Sequence, residues 1–443
     1  MRSRLGKHLW IVLLPFGLAG CNLTWGGSGQ HQGGAGGDLH AVQHIIFMLQ
    51  ENRSFDSYFG HLNGYRTAKG LPADVDGTPA DASNPSYDGS RQITPFHMRS
   101  MCSENLTPSW NESHVDWNRN DPLSPTPKMD GFVREAAGFA RNTGLLDIEG
   151  LRAMGYYDAS DLPFYYFTAT QFATSDRWFS PLMTKTQPNR LASLAATSAG
   201  FIRAPDTTLS QKTIFHLLEA AGISWKVYTT SGTTYLSYFQ PFASQHSDKI
   251  VPVEQYFRDL QADTLPAVAL IETGTETEAG VDNTNLDEHP NNHIQLGAHY
   301  VARLMTALMQ SNAWKSSVFI LTYDEGGGLY DHVPPQPTVS PDGIKPILKA
   351  TDLQDDFTRT GFRVPLIVVS PFTRPGYVSH AVADYTAILK FIETRFGLPN
   401  LTQRDAAQPD MTEFFDFSGA PNLNPPSPPE QPTNGPCYKD HLP

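Results

Sequence analysis

The stretch AVQHIIFMLQ, residues 41–50, closes on an unbroken apolar run from Ile45 to Leu49. Runs this short, apolar throughout and bounded by polar residues, mark strands covered on both faces. The same signature recurs at 224–230 (SWKVYTT), 267–273 (AVALIET), 317–325 (SVFILTYDE) and 364–372 (VPLIVVSPF). Between these runs the apolar spacing changes to that of a helix. Helices are predicted over 161–173, with Asp161 as N-cap, and over 213–222, stopped by Gly222. Two more are predicted over 294–314 and 386–397. Apolar strands alternating with amphipathic helices predict an α/β fold, a doubly wound, mostly parallel central sheet with helices on both faces.

Residues 61–130 break this rhythm, being rich in Gly, Pro, Ser and Asn. They are expected to form a long excursion over the functional face and not a second domain. The main domain is expected over 39–420, followed by a Pro-rich extended tail at 421–443 that contains NPPSPPEQPTNGP.

The N-terminus adds an address. Arg2, Arg4 and Lys7 precede an apolar stretch, Leu9 to Gly20, that is too short to span a bilayer. The small residues of LAGC then lead into Cys21, as in a bacterial lipoprotein cleavage box. This predicts a leader over 1–20, a lipidated Cys21 and a Gly-rich tether over 21–38. The expected location is the bacterial cell envelope, exported and lipid-anchored; a plain secretory leader is the alternative. Cys102 and Cys437 then remain as an even pair, either a disulfide or two buried thiols. With 40% hydrophobic and 17% charged residues the chain is globular. A net charge of −13 with no basic cluster excludes nucleic acid as a partner.

In doubly wound sheets, ligands gather beyond the carboxyl ends of the strands. There stand Glu51 and Asn52 after the first strand, and Asp324 and Glu325, followed by three glycines, after the strand near 317. Each pair alone reads as a turn; together they form an oxygen set suited to one divalent cation, Ca, Mg, Zn or Mn. Thr186 precedes Pro188-Asn189-Arg190 at the start of a helix-like run, as a helix cap or as a nucleophile. Arg190 is placed to meet a phosphate oxygen or to brace the loop, and Asn189 is grouped with it as substrate-binding. His114, His289 and His332 lie in polar loops. Imidazoles there serve as proton or hydrogen-bond donors, or are surface residues. The neighbouring acids Glu288 and Asp331 would raise the pKa of His289 and His332.

Six stretches occur in matching order: ENRSFDSYFG, KMDGF, MGYYDASDLPFYYFTATQFATSDRWF, TQPNR, DEHP and YDEGGGLYDHVPP. From about Val42 to about Phe417 the chain thereby resembles the phosphoesterase family of bacterial phospholipases C and acid phosphatases, in the alkaline-phosphatase-like superfamily. The resemblance implies a metal-dependent phosphoric ester hydrolase that forms a covalent phosphothreonine. It implies Glu51, Asn52, Thr186, Asp324 and Glu325 as metal ligands, Thr186 as nucleophile, and His114, His289 and His332 around the phosphate. The substrate it implies is a phospholipid headgroup ester or a soluble phosphomonoester. The chain departs from the family at Pro108-Ser109-Trp110 and Tyr385, where the family often has histidine. Other readings are a non-catalytic binding lipoprotein on a hydrolase-like fold and a sulfatase-like hydrolase, the latter without its CxPxR signature.

Overall fold

A computed structural model describes residues 38–273 and 286–442. The leader, Cys21 and the tether up to residue 37 lie outside these residues. The central sheet has eight strands, in chain order β1 (His44–Gln50), β2 (Ala173–Ser175), β3 (Trp225–Thr229), β4 (Ile250–Pro252), β5 (Val268–Glu272), β6 (Ser317–Tyr323), β7 (Leu366–Val369) and β8 (Tyr377–Ser379). In space they run β8-β2-β7-β6-β1-β5-β3-β4. Ile45 to Leu49 are all fully buried. Successive strand residues point to opposite faces, so both faces of β1 are covered. Leu191, Ile214, Leu304 and Phe391 of the surrounding helices share one apolar core with the sheet.

β1 pairs in parallel with both β5 and β6, and β3 continues that direction. The strand near 364, expected like the others, runs antiparallel to both of its neighbours. A parallel strand needs a crossover to the opposite edge. Residues 324–365 hold no helix and return at Leu366 beside Thr322, on the edge they left. The chain can therefore only run back.

The helix near 161 spans Pro163–Gln171, with Leu162 at its N-cap position, so Asp161 does not cap it. Asp161 sits in a turn closed by the Leu162 N–H on the Asp158 carbonyl, and its own carboxylate accepts the Asp158 N–H at 2.9 Å. The helix near 294 ends at Met309, where the Ser311 hydroxyl takes the Leu308 carbonyl at 2.8 Å. Among the described residues no helix is long and apolar enough to cross a membrane.

The excursion contributes a helix, Trp110–Trp117, and a strand Phe96–His97 that pairs in parallel with Gly155–Tyr156. Its apolar residues pack with Leu329, Tyr330 and Phe362 of the main domain. The tail forms neither helix nor strand from residue 418 to 442. A disulfide, Cys102–Cys437, fixes it, and the Gly435 N–H donates to Gln295 Oε1 at 2.9 Å.

Candidate functional site

Gln50 and Tyr323 are register partners at the ends of β1 and β6, so the next residues, Glu51 and Asp324, emerge side by side. Asn52 then adopts a left-handed backbone, φ 60°. Non-glycine residues held there concentrate at functional sites. The turn points the Asn52 N–H at Asp324 Oδ1, 3.0 Å away, and the Glu325 N–H reaches the same oxygen at 2.8 Å. Gly327 permits this approach: its φ is 71°, and a Cβ there would lie 2.5 Å from the Asn52 carbonyl oxygen. The Glu325 carboxylate accepts the Gly327 N–H.

The helix Thr186–Ala195 supplies the remaining groups. Its N-cap position is Lys185, so Thr186 opens the helix and is not its cap. Thr186 sits beside the Asp324 carboxylate and favours its charged form. One turn on, Arg190 places Nη2 3.2 Å from Glu51 Oε1 and Nε 3.5 Å from Asp324 Oδ2. Burial pushes the Asp324 pKa up, and Arg190 and the two N–H groups only partly offset that. Burial works against the charge of Arg190, but Asp324 and Glu51 outweigh it and raise its pKa. Arg190 thus braces the carboxylates. Asn189 is likewise engaged with the backbone: it accepts the Leu182 N–H at 2.9 Å and donates to the Thr184 carbonyl at 2.7 Å.

His289 sits in a loop tied to the same strand end, since the Glu51 N–H donates to the Asp287 carbonyl at 2.8 Å. Glu288 does not raise its pKa. That carboxylate turns away, φ 67° at its backbone, and accepts the hydroxyls of Tyr58, Tyr165 and Tyr323. Burial, with Arg53 and Lys185, lowers His289 to about 3, so the ring is neutral. His114 and His332 have partners elsewhere. His114 Nε2 lies 3.0 Å from Asp355, and His332 is 2.7 Å from Asp56 and 3.2 Å from Asp76.

Two neighbours escaped the sequence reading. Tyr235 lies against Arg190, 5.3 Å from ring centroid to guanidinium, and its buried hydroxyl has no hydrogen-bond partner among the described residues. Glu272 ends β5, beside β1; it is buried, and Oε2 has no hydrogen-bond partner among the described residues. The strand-end rule that singled out Glu51 also points to Glu272. Tyr385, in place of the family's histidine, donates to the Asp324 carbonyl at 2.9 Å.

The donor set fits a hard divalent cation. Glu51 and Asp324 converge on Arg190 with Thr186 beside Asp324, and the buried Asn52 Oδ1 has no hydrogen-bond partner among the described residues. Two tighter acid–histidine groups lie elsewhere, Asp56 with Asp331 and His332, and His97 with Asp158 and Asp161. The first already holds a cation: Arg363 is 2.9 Å from Asp56 and 3.1 Å from Asp331.

Known proteins with similar sequences include hemolytic phospholipase C of Pseudomonas aeruginosa, 30% identical over 87% of this chain and 57% of that protein. Phospholipase C A of Mycobacterium tuberculosis is 29% identical, over 88% of this chain and 80% of its own. Non-specific phospholipase C3 of Arabidopsis thaliana is 32% identical, over 84% and 73%. The chain thus spans little more than half the length of the first of these. The profile of the Phosphoesterase family matches residues 42–399, which include every strand of the central sheet and every strand end described above, and the chain belongs to that family.

Proposed function

We propose that this protein is a metal-dependent phosphoric ester hydrolase in which Thr186 is the nucleophile. The observation that carries this reading is Thr186, first residue of its helix and next to the Asp324 carboxylate, which emerges beside Glu51 at the strand ends. Glu51, Asn52, Asp324, Glu325 and Thr186 would hold one divalent cation, whose charge favours the alkoxide form of Thr186 and an incoming phosphoryl group. The start of the helix adds backbone N–H groups suited to an anion. Thr186 Oγ forms the new bond to phosphorus as the bond to the ester oxygen breaks, and the departing oxygen gains a proton. Water then cleaves the phosphothreonine, freeing phosphate or a phosphomonoester and restoring the hydroxyl. His289, held neutral, offers a hydrogen bond to a phosphoryl oxygen. His114 and His332 support the loops around the site through Asp355, Asp56 and Asp76.

The names of the three relatives favour a phospholipid headgroup ester over a soluble phosphomonoester. In the same reading the leader ends at a lipid-bearing Cys21, which holds the enzyme at the bacterial cell envelope. The test compares hydrolysis of p-nitrophenyl phosphorylcholine and p-nitrophenyl phosphate, with and without chelator, followed by rapid acid quench. Turnover should need the cation, and phosphate should be trapped on the peptide containing residue 186. Thr186→Ala should abolish both, and Thr186→Ser should retain some turnover. Wild-type rates in the Ala variant would reject the nucleophile.

A further inference from the structure

The stretch MGYYDASD belongs to a shared motif, yet its acids lie apart from Glu51 and Thr186. The pairing of Phe96–His97 with Gly155–Tyr156 sets His97 in register with Tyr156, two residues before Asp158. The turn that follows, closed by the Asp161 and Leu162 N–H groups on the Asp158 carbonyl, folds the acids back toward that strand. His97 Nε2 then lies 2.7 Å from Asp161 and 3.9 Å from Asp158. The ligand atoms of the three residues all fall within 4.8 Å of one another. The Tyr156 ring packs beside His97, 5.7 Å between centroids, and helps hold the imidazole in place.

We propose that His97, Asp158 and Asp161 form a second metal site, for a borderline transition ion such as Zn2+. An imidazole with two carboxylates suits Zn2+, Co2+ or Ni2+, whereas Ca2+ and Mg2+ prefer all-oxygen shells. The site differs in kind from the all-oxygen set at Glu51 and Asp324, so the two select different ions. It is also open to solvent, the His97 and Asp158 side chains being 38% and 39% exposed. The supports are rigid. Asp161 lends its carbonyl to the side chains of Gln295 and Gln431, at 3.1 and 2.9 Å, which pins the turn to the core and the tail. An ion here would tie the excursion's strand to the Asp158 turn, a structural clamp and not a second reaction centre.

The test is equilibrium dialysis of the whole protein against Zn2+ with elemental analysis, in parallel with thermal unfolding. Wild type should bind one more zinc ion per chain than His97→Ala, and zinc should raise its unfolding temperature while the variant's stays unmoved. Asp158→Asn keeps an acceptor for the Ser160 N–H and hydroxyl, which Asp158 now holds at 2.8 and 2.6 Å, so the turn survives. Zinc affinity at this site should still fall at least tenfold in it. Phosphopeptide trapping at residue 186 should be unchanged in these variants, which separates this site from the proposed reaction. Equal zinc content and equal stabilisation in wild type and both variants would leave His97 and Asp161 as an ion pair only and overturn the site.

Discussion

Arg190→Met is the most incisive perturbation of the acidic pocket. The guanidinium stands 3.2 Å from Glu51 and 3.5 Å from Asp324, and all three side chains are buried. At an effective dielectric of about 20, unit charges some 4 Å apart interact by about 4 kcal/mol. The cost of desolvating three ions cancels much of that in the intact protein. Removing the cation alone is another matter, because two carboxylates then face each other in a buried site; breaking such a pair costs about 3–5 kcal/mol. A divalent ion held by Glu51 and Asp324 supplies the missing charge. Urea unfolding in excess chelator should therefore show the full loss, and saturating divalent ion should recover about 2–3 kcal/mol of it. Closing the thermodynamic cycle, the variant should bind the ion roughly 30- to 150-fold more tightly than wild type, as read by calorimetric titration. Equal losses with and without the ion would refute the reasoning, because the ion would then bind away from Arg190.

Gly327→Ala forces a Cβ to 2.5 Å from the Asn52 carbonyl at a φ of 71°, so metal content should fall and stability should drop by about 1–2 kcal/mol. Unchanged values for both, by emission spectrometry and urea midpoint, would show that the Asn52 turn tolerates displacement. For His332, burial lowers the pKa, but hydrogen bonding and charge from Asp56, with charge from Asp331, raise it above the ordinary value despite Arg363 nearby; Asp76 also faces the ring. A raised folded pKa gives stability that is complete below about pH 6.5 and lost as pH rises through the folded value. His332→Gln should thus destabilise more near pH 5.5 than near pH 8.5, and a loss independent of pH would count against the ion pair. Cys437→Ser opens a disulfide closing a separation of 335 residues, worth about 5 kcal/mol by loop entropy, and frees the tail. Reduction of wild type should reproduce that loss, and an unmoved urea midpoint would contradict it.

Strands announced themselves where they are long and covered on both faces. All seven residues of β6 are buried, and its apolar run needed no partner to be seen. β2 and β8 have three residues each, too few for any periodic pattern. The reversal of β7 has no local signature, because its apolar run reads the same in either direction. It follows from what residues 324–365 fail to form. The Asp161 cap misled for a similar reason: an acid ahead of a helix is a cap only if the turn aims it forward, and this turn aims it at His97.

The site divides along the same line. Glu51, Asn52 and Asp324 were legible because a strand end fixes both the position and the heading of the residues that follow it. Glu272 obeys that rule and was overlooked only because its run, AVALIET, carried no motif. Arg190 was legible as important but ambiguous in role, since its partners lie 139 and 134 residues away. Histidines next to acids were the least trustworthy signal. Successive loop residues commonly point apart, and here Asp331 turns to Arg363 while His332 turns to Asp56 and Asp76, so the Asp331 charge helps raise the His332 pKa as expected but Asp56 does more. Glu288 and His289 part in the same way, the acid into a ring of three tyrosines and the imidazole into a buried, neutral state. A carboxylate acts on the imidazole it faces across space, and in this fold those facing groups come from other strands and loops. Adjacency along the chain therefore located these histidines without assigning their chemistry, and any role for His289 at the phosphate rests on hydrogen bonding by a neutral ring.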